Sequence, residues 1–152
     1  MAESTLFEGT LDWLGQQAGQ AFDYEHFNRD TEIRFGPALF AGSGTASFNG
    51  DESKGNPETL LMASLMQCHF LTFMAIASRS RVVITGYQDH ANGRLGARDG
   101  KTRMLEVTLR PRVQLADPTQ ADRLQAIHDK AHANCFMANS VNFPVIVEPV
   151  NA

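Results

Sequence analysis

The densest apolar run in the chain lies between residues 57 and 79. Leu60, Leu61, Met62, Leu65, Met66, Phe70, Leu71, Phe73, Met74 and Ile76 fall all around a helix of that length, leaving no polar face. A soluble helix that is apolar on every side must be buried on every side. In a chain of 152 residues this predicts a central helix covered partly by a second subunit. The start of the run is marked by Asn56-Pro57-Glu58. Asn is a good N-cap, Pro suits the first helical position, and an acid in the first turn meets the positive end of the helix dipole. The helix is expected to run to about Arg79.

The rest of the chain alternates shorter patterns. "TLFEGTLDW" and "AFDYEHFNRDTEIRFG" are rich in aromatic and β-branched residues, and "LGQQAGQA" between them reads as the turn of a first hairpin. "GPALFAGSGTASFNGDESKGNP" reads as loop with room for a short strand. "RVVITGYQDH" and "TRMLEVTLRPRVQL" read as strands joined by "NGRLGARDGK" as a loop. Asp117-Pro118 opens a second helix, with Ala121, Leu124, Ile127 and Ala131 as its apolar stripe. "NCFMANS" reads as a short helical turn and "FPVIVEPV" as a closing strand. The order predicts an α+β fold, helices on antiparallel sheet, in a single domain over residues 1–152.

Composition narrows the function classes. Hydrophobic residues make up 43% of the chain, enough for a core and against disorder. A net charge of −4 argues against nucleic acid as the main partner. Two cysteines make no secreted disulfide framework and fit a reducing cytoplasm. "MAESTLFEGTLDW" has neither a basic n-region nor an apolar h-region, and the long apolar run is interrupted by Ser64, Gln67 and His69. A soluble cytoplasmic protein with no membrane partner is the expectation.

Taken singly, the candidate chemical residues have plain structural readings. Cys68 and Cys135 each read as a small hydrophobe in the core. Glu58 reads as a dipole-favouring acid at a helix start. His69 adjoins Cys68, but helix neighbours point about 100° apart. His128 and His132 share a helix face that Cys135 would extend, a weak zinc-like spacing. "HDKAH" lacks the glutamate of a metalloprotease motif, and two packed or solvated histidines are the preferred reading. No phosphate loop, dinucleotide fingerprint or nucleophile elbow is present, so no cofactor is expected.

In combination these residues resemble a known family. "NPETLLMASLMQCHF", with ten residues from Glu58 to Cys68, and "AHANCFMANS", with Cys135, are similar to the motifs of the OsmC/Ohr family, the osmotically inducible and organic hydroperoxide resistance proteins. "YQDHANGRL", "EVTLRPRV" and "CFMANSVNFPV" resemble an OsmC-like subfamily, and the resemblance extends from about Trp13 to Pro149. It implies an intertwined homodimer with the long helices at its centre. It also implies a thiol peroxidase in oxidative stress defence. In that mechanism Cys68 attacks an organic hydroperoxide, Cys135 resolves the sulfenic acid as a disulfide, and a dithiol reductant reopens it. The thiolate is the nucleophile, so a nearby cation is expected. In the family an arginine in the first hairpin turn pairs with the motif glutamate. Here that turn carries Gln16, Gln17 and Ala18, so Arg29 is the candidate and Arg34 its neighbour on the same stretch. The alternative reading is an OsmC-like protein that binds a small hydrophobic ligand at the dimer interface, with little or no peroxidase activity.

Overall fold

Helix α1 (Pro57–Arg79) begins and ends where its flanking residues direct. The Asn56 side chain accepts from the Thr59 N–H at 2.8 Å, and the Thr59 hydroxyl accepts from the Asn56 N–H at 3.1 Å. This reciprocal pair satisfies two donors at the helix start. At the other end, the Val82 N–H reaches the Ala77 carbonyl and the Arg81 N–H reaches the Ser78 carbonyl, at 3.0 and 3.1 Å. That is the Schellman pattern, and it places Arg81 in the left-handed region at φ 57°, where glycine is usual.

The computed structural model describes residues 4–150. The chain forms two compact units, Met1–Thr59 and Leu60–Ala152, with the division falling in the first turn of α1.

The first unit is a three-stranded antiparallel sheet of β1 (Thr10–Trp13), β2 (Thr31–Phe35) and β3 (Ala38–Gly42), with β2 in the middle. The expected first hairpin is therefore present as the β1–β2 pair, but its connection is not a tight turn. Residues 14–30 form a long ordered loop. It is tied down by the Trp13 Nε1–H donating to the Asn28 carbonyl at 2.8 Å and the Leu14 N–H donating to the Asp30 carbonyl at 3.0 Å. "AFDYEHF" thus lies in the loop, because its polar groups serve local turns. The Asp23 carboxylate accepts from the Glu25 and His26 N–H groups.

The second unit packs α1 with strands β4 (Ile84–Asp89), β5 (Asn92–Arg98), β6 (Lys101–Leu109), β7 (Pro111–Leu115), β8 (Val145–Val147) and helix α2 (Leu124–Asn134). β4 pairs β7 antiparallel, while β5–β6–β8 forms a separate sheet. In that sheet β5 runs antiparallel and β8 parallel to β6, so it is mixed and not purely antiparallel. "NGRLGARDGK", expected as a loop, forms β5 and its hairpin turn. Asp99 and Gly100 take φ 53° and 73°, the two-residue turn that matches strand twist. Asp117 caps a 3₁₀ turn over Pro118–Arg123 by accepting from the Thr119 N–H, and α2 follows it.

Leu65, His69, Phe73 and Ala77 form the fully buried stripe of α1, one residue every four. Leu65 packs with Val107 and Leu109 of β6, and Phe73 and Ala77 pack with Val82, Val113, Ile127 and Ala131. The expectation of a helix buried all round is thus met on one stripe within a single chain. Leu71 on another face remains 55% exposed. α1 is long and apolar enough to cross a membrane by length and composition, but its buried stripe makes it a core helix.

Candidate functional site

Two free thiols face each other across α1 and the end of α2. Cys68 is half-buried in the middle of α1. Cys135 is the C-cap residue of α2, with extended backbone at φ −72° and ψ 112°, and is 1% exposed. The turn after α2 fixes Cys135 through backbone bonds. Its N–H donates to the His132 carbonyl at 3.2 Å, and its carbonyl accepts from Asn139 N–H at 3.0 Å. The Ala138 N–H points at its sulfur, 3.5 Å away. Cys68 is a neighbour of Cys135 close enough to act on the ionisation of its thiol. Sixty-six residues of sequence lie between the two, and the packing of α2 on α1 closes that gap.

Burial is the main influence on Cys135 and pushes its thiol pKa up; the Ala138 N–H comes next and pulls it down, and the neighbouring Cys68 adds a smaller upward push. Desolvation disfavours the thiolate, so Cys135 is held as a thiol able to donate to Cys68. The two sulfurs therefore sit in unlike settings, one shut off from solvent and one with a partly open face.

Two of the histidines pack against each other in the core. His69 is buried in the core, where its Nε2 meets the Nδ1 of His128 at 3.1 Å. The rings are parallel within 4°, and Phe73 stacks on the His128 ring with centroids 4.3 Å apart. Both histidines are 1% exposed. Burial lowers the pKa of each ring to about 4, helped by the proximity of His132 to His69 and of His69 to His128. Both rings are therefore neutral near pH 7, and one nitrogen of the contact donates while the other accepts. His128 thus turns inward to His69 and does not join His132 and Cys135 in a metal site. Among the described residues no group of three metal-ligating side chains is gathered in one place.

Glu58 occupies the second position of α1, half-buried in its first turn. Helical rise sets it about 15 Å from Cys68 along the axis, so the carboxylate and the thiol do not touch along their own helix. Arg29 belongs to the first unit. Its guanidinium lies 3.8 Å over the Phe27 ring and donates to the Phe27 and Tyr24 carbonyls. Arg34 donates to Glu32 on the same strand at 2.8 Å.

No curated protein matches the chain. Among solved structures, an OsmC-like protein of unknown function from Vibrio cholerae is 29% identical over 97% of this chain and 100% of its own, with a TM-score of 0.89. An organic hydroperoxide resistance protein from Elizabethkingia anophelis, crystallised with thiocyanate bound, is 18% identical over 100% of both chains, with a TM-score of 0.75. Another protein from Vibrio cholerae, described as an organic hydroperoxide resistance protein with captopril in one of its active sites, is 18% identical, with a TM-score of 0.66. It covers 97% of this chain and 93% of its own. At these identities the last two share the fold alone. The sequence profile of OsmC-like proteins matches residues 50–149, a stretch holding α1, both thiols and the turn that seats Cys135. With most of its length matched in sequence and nearly all of it in fold, this chain belongs to the OsmC-like protein family.

Proposed function

We propose that the protein is a thiol-dependent peroxidase acting on organic hydroperoxides. The observation that carries this reading is the meeting of Cys68 and Cys135 in unlike settings: a half-buried sulfur beside a buried one held as a thiol. The half-buried Cys68 is the attacking group. Its thiolate takes the distal oxygen of the hydroperoxide, the O–O bond breaks, and the alcohol leaves after the alkoxide takes a proton. Cys68 is then a sulfenic acid. The Cys135 sulfur displaces its hydroxyl as water, forming a disulfide, and a dithiol reductant returns two electrons and two protons. Leu61, Leu65, Phe70, Leu71 and Phe73 surround the Cys68 turn of α1 along the sequence and favour alkyl substrates over hydrogen peroxide.

Arg29 is the proposed cation for the thiolate and Glu58 its orienting carboxylate. The half-exposed faces of α1, with Leu71 outermost, favour a homodimer in which a second copy covers them. Two unpaired cysteines favour a reducing, cytoplasmic setting. The test is stopped-flow oxidation with cumene hydroperoxide. A rate well above that of free cysteine is expected, and a rate no higher than free cysteine overturns the proposal.

A second reading is favoured by one observation. The loop over residues 14–21 carries no basic side chain to activate a thiol. In that reading the protein binds a small hydrophobic ligand at the dimer interface and turns over peroxide slowly or not at all. Native mass spectrometry with a retained apolar ligand, together with a free-cysteine rate, is the outcome that selects it.

A further inference from the structure

A cavity of about 500 Å³ lies in the second unit, and neither thiol lines it. Pro111, Val113 and Leu115 of β7 form one side, Leu124 of α2 another, and Val150 closes the end. Its volume is within the range of small-molecule sites, which are mostly apolar with a few polar groups that fix orientation. The polar groups here are Gln114, Gln125 and His128, and no lysine, arginine, aspartate or glutamate lines the cavity among the described residues. His128 uses Nδ1 on His69, and its Nε2 has no partner within the protein. A buried imidazole nitrogen without a partner is uncommon, and it marks unmet hydrogen-bonding capacity in this wall. A charged guest would lose its hydration here without meeting an opposite charge.

We propose that this cavity binds an uncharged, largely apolar small molecule bearing one hydrogen-bonding group. The hydrocarbon part lies against β7 and Leu124, and the polar group is met by His128 or by the amides of Gln114 and Gln125. The site is separate from the thiols; its His128 bonds to His69 on the thiol-bearing helix.

The probe for the test is naphthol, with naphthalene sulfonate as its charged counterpart, followed by two-dimensional NMR of the full chain. Saturable shifts are expected at the His128 ring and at the Leu124 and Val113 methyls, with the sulfonate at least tenfold weaker. Ala121 and Gln125 are exposed at the cavity's edge, so A121T would leave it open while Ala121→Trp and Gln125→Trp fill it. Either tryptophan variant is expected to weaken naphthol binding at least tenfold with the unfolding midpoint unchanged. No saturable shift up to the solubility of the probe, equal affinity for the sulfonate, or unchanged binding in both tryptophan variants overturns the proposal.

Discussion

The imidazoles of His69 and His128 meet in the core, Nε2 to Nδ1 at 3.1 Å, with both side chains almost wholly shut off from solvent. They join α1 to α2 one residue away from Cys68. The contact is lost once both rings are charged, because two imidazolium ions have no acceptor between them and repel each other, with no carboxylate bonded to either. Asp129 is the acid nearest His128 in its effect, while His132 opposes protonation of His69.

Acid is therefore expected to weaken the fold before most carboxylates titrate. Folded, the two rings titrate at about 4; unfolded, they would titrate near the ordinary 6.5. Below pH 6.5 the unfolded chain takes up protons that the folded chain refuses, so stability is full above 6.5 and is lost as pH falls toward 4. Each pKa unit is worth about 1.4 kcal/mol per group, so the loss for the pair is on the order of a few kcal/mol. Urea unfolding between pH 7.5 and roughly 4.5 reads it directly. A flat midpoint across that window would show that the pair does not govern acid stability.

Replacing Arg81 by glycine is expected to stabilise the protein. Arg81 holds φ 57° at the end of α1, a conformation that costs an L-residue about 1–2 kcal/mol and glycine little. Part of that gain is offset by the greater freedom of glycine in the unfolded chain, so a net gain of about 0.5–1 kcal/mol is expected. Thermal unfolding of R81G checks it, and a lower midpoint contradicts the strain argument.

Asn56 and Glu58 are two residues apart but are expected to separate stability from activity. Asn56→Ala removes the N-cap of α1 and is expected to cost about 1 kcal/mol. Glu58→Ala removes only a first-turn acid, about 0.3–1 kcal/mol. If Glu58 orients the activating cation, its loss lowers the peroxide rate far more than the loss of Asn56 does. Parallel unfolding and stopped-flow measurements on both variants compare the two. Equal rates would reduce Glu58 to a helix-start residue.

Cys135→Ser is expected to leave the first oxidation of Cys68 intact and to stop the cycle there. The sulfenic acid then persists or proceeds to sulfinic acid, visible as an added mass on the Cys68 peptide. Normal multiple turnover by this variant would contradict the resolving role.

Much of the framework was legible in the sequence because its signals are local. Asn56-Pro57-Glu58 marks the start of α1 and Asp117-Pro118 marks the cap before α2, each through one side chain and the backbone beside it. β5 was missed, although Asp99-Gly100 is a strong two-residue hairpin signal. The glycines at 93 and 96 weaken its strand pattern. The long connection after Trp13 depends on a Trp13 side-chain bond to residue 28 and a backbone bond to residue 30, which periodicity does not register. The thiol pair was legible only through resemblance, since Cys68 and Cys135 look alike as isolated core residues. The His69–His128 contact was not legible at all. It joins residues 59 apart, and a helix face viewed alone suggested His132 as the natural companion of His128.

The central claim is that Cys68 and Cys135 work as one redox pair, and peptide mass spectrometry after one equivalent of cumene hydroperoxide tests it most directly. The expected result is loss of two hydrogens from the intact chain and a single cross-linked peptide joining Cys68 to Cys135 within one subunit. Two free thiols after that treatment, or Cys68 driven to sulfinic acid while Cys135 stays reduced, would contradict it.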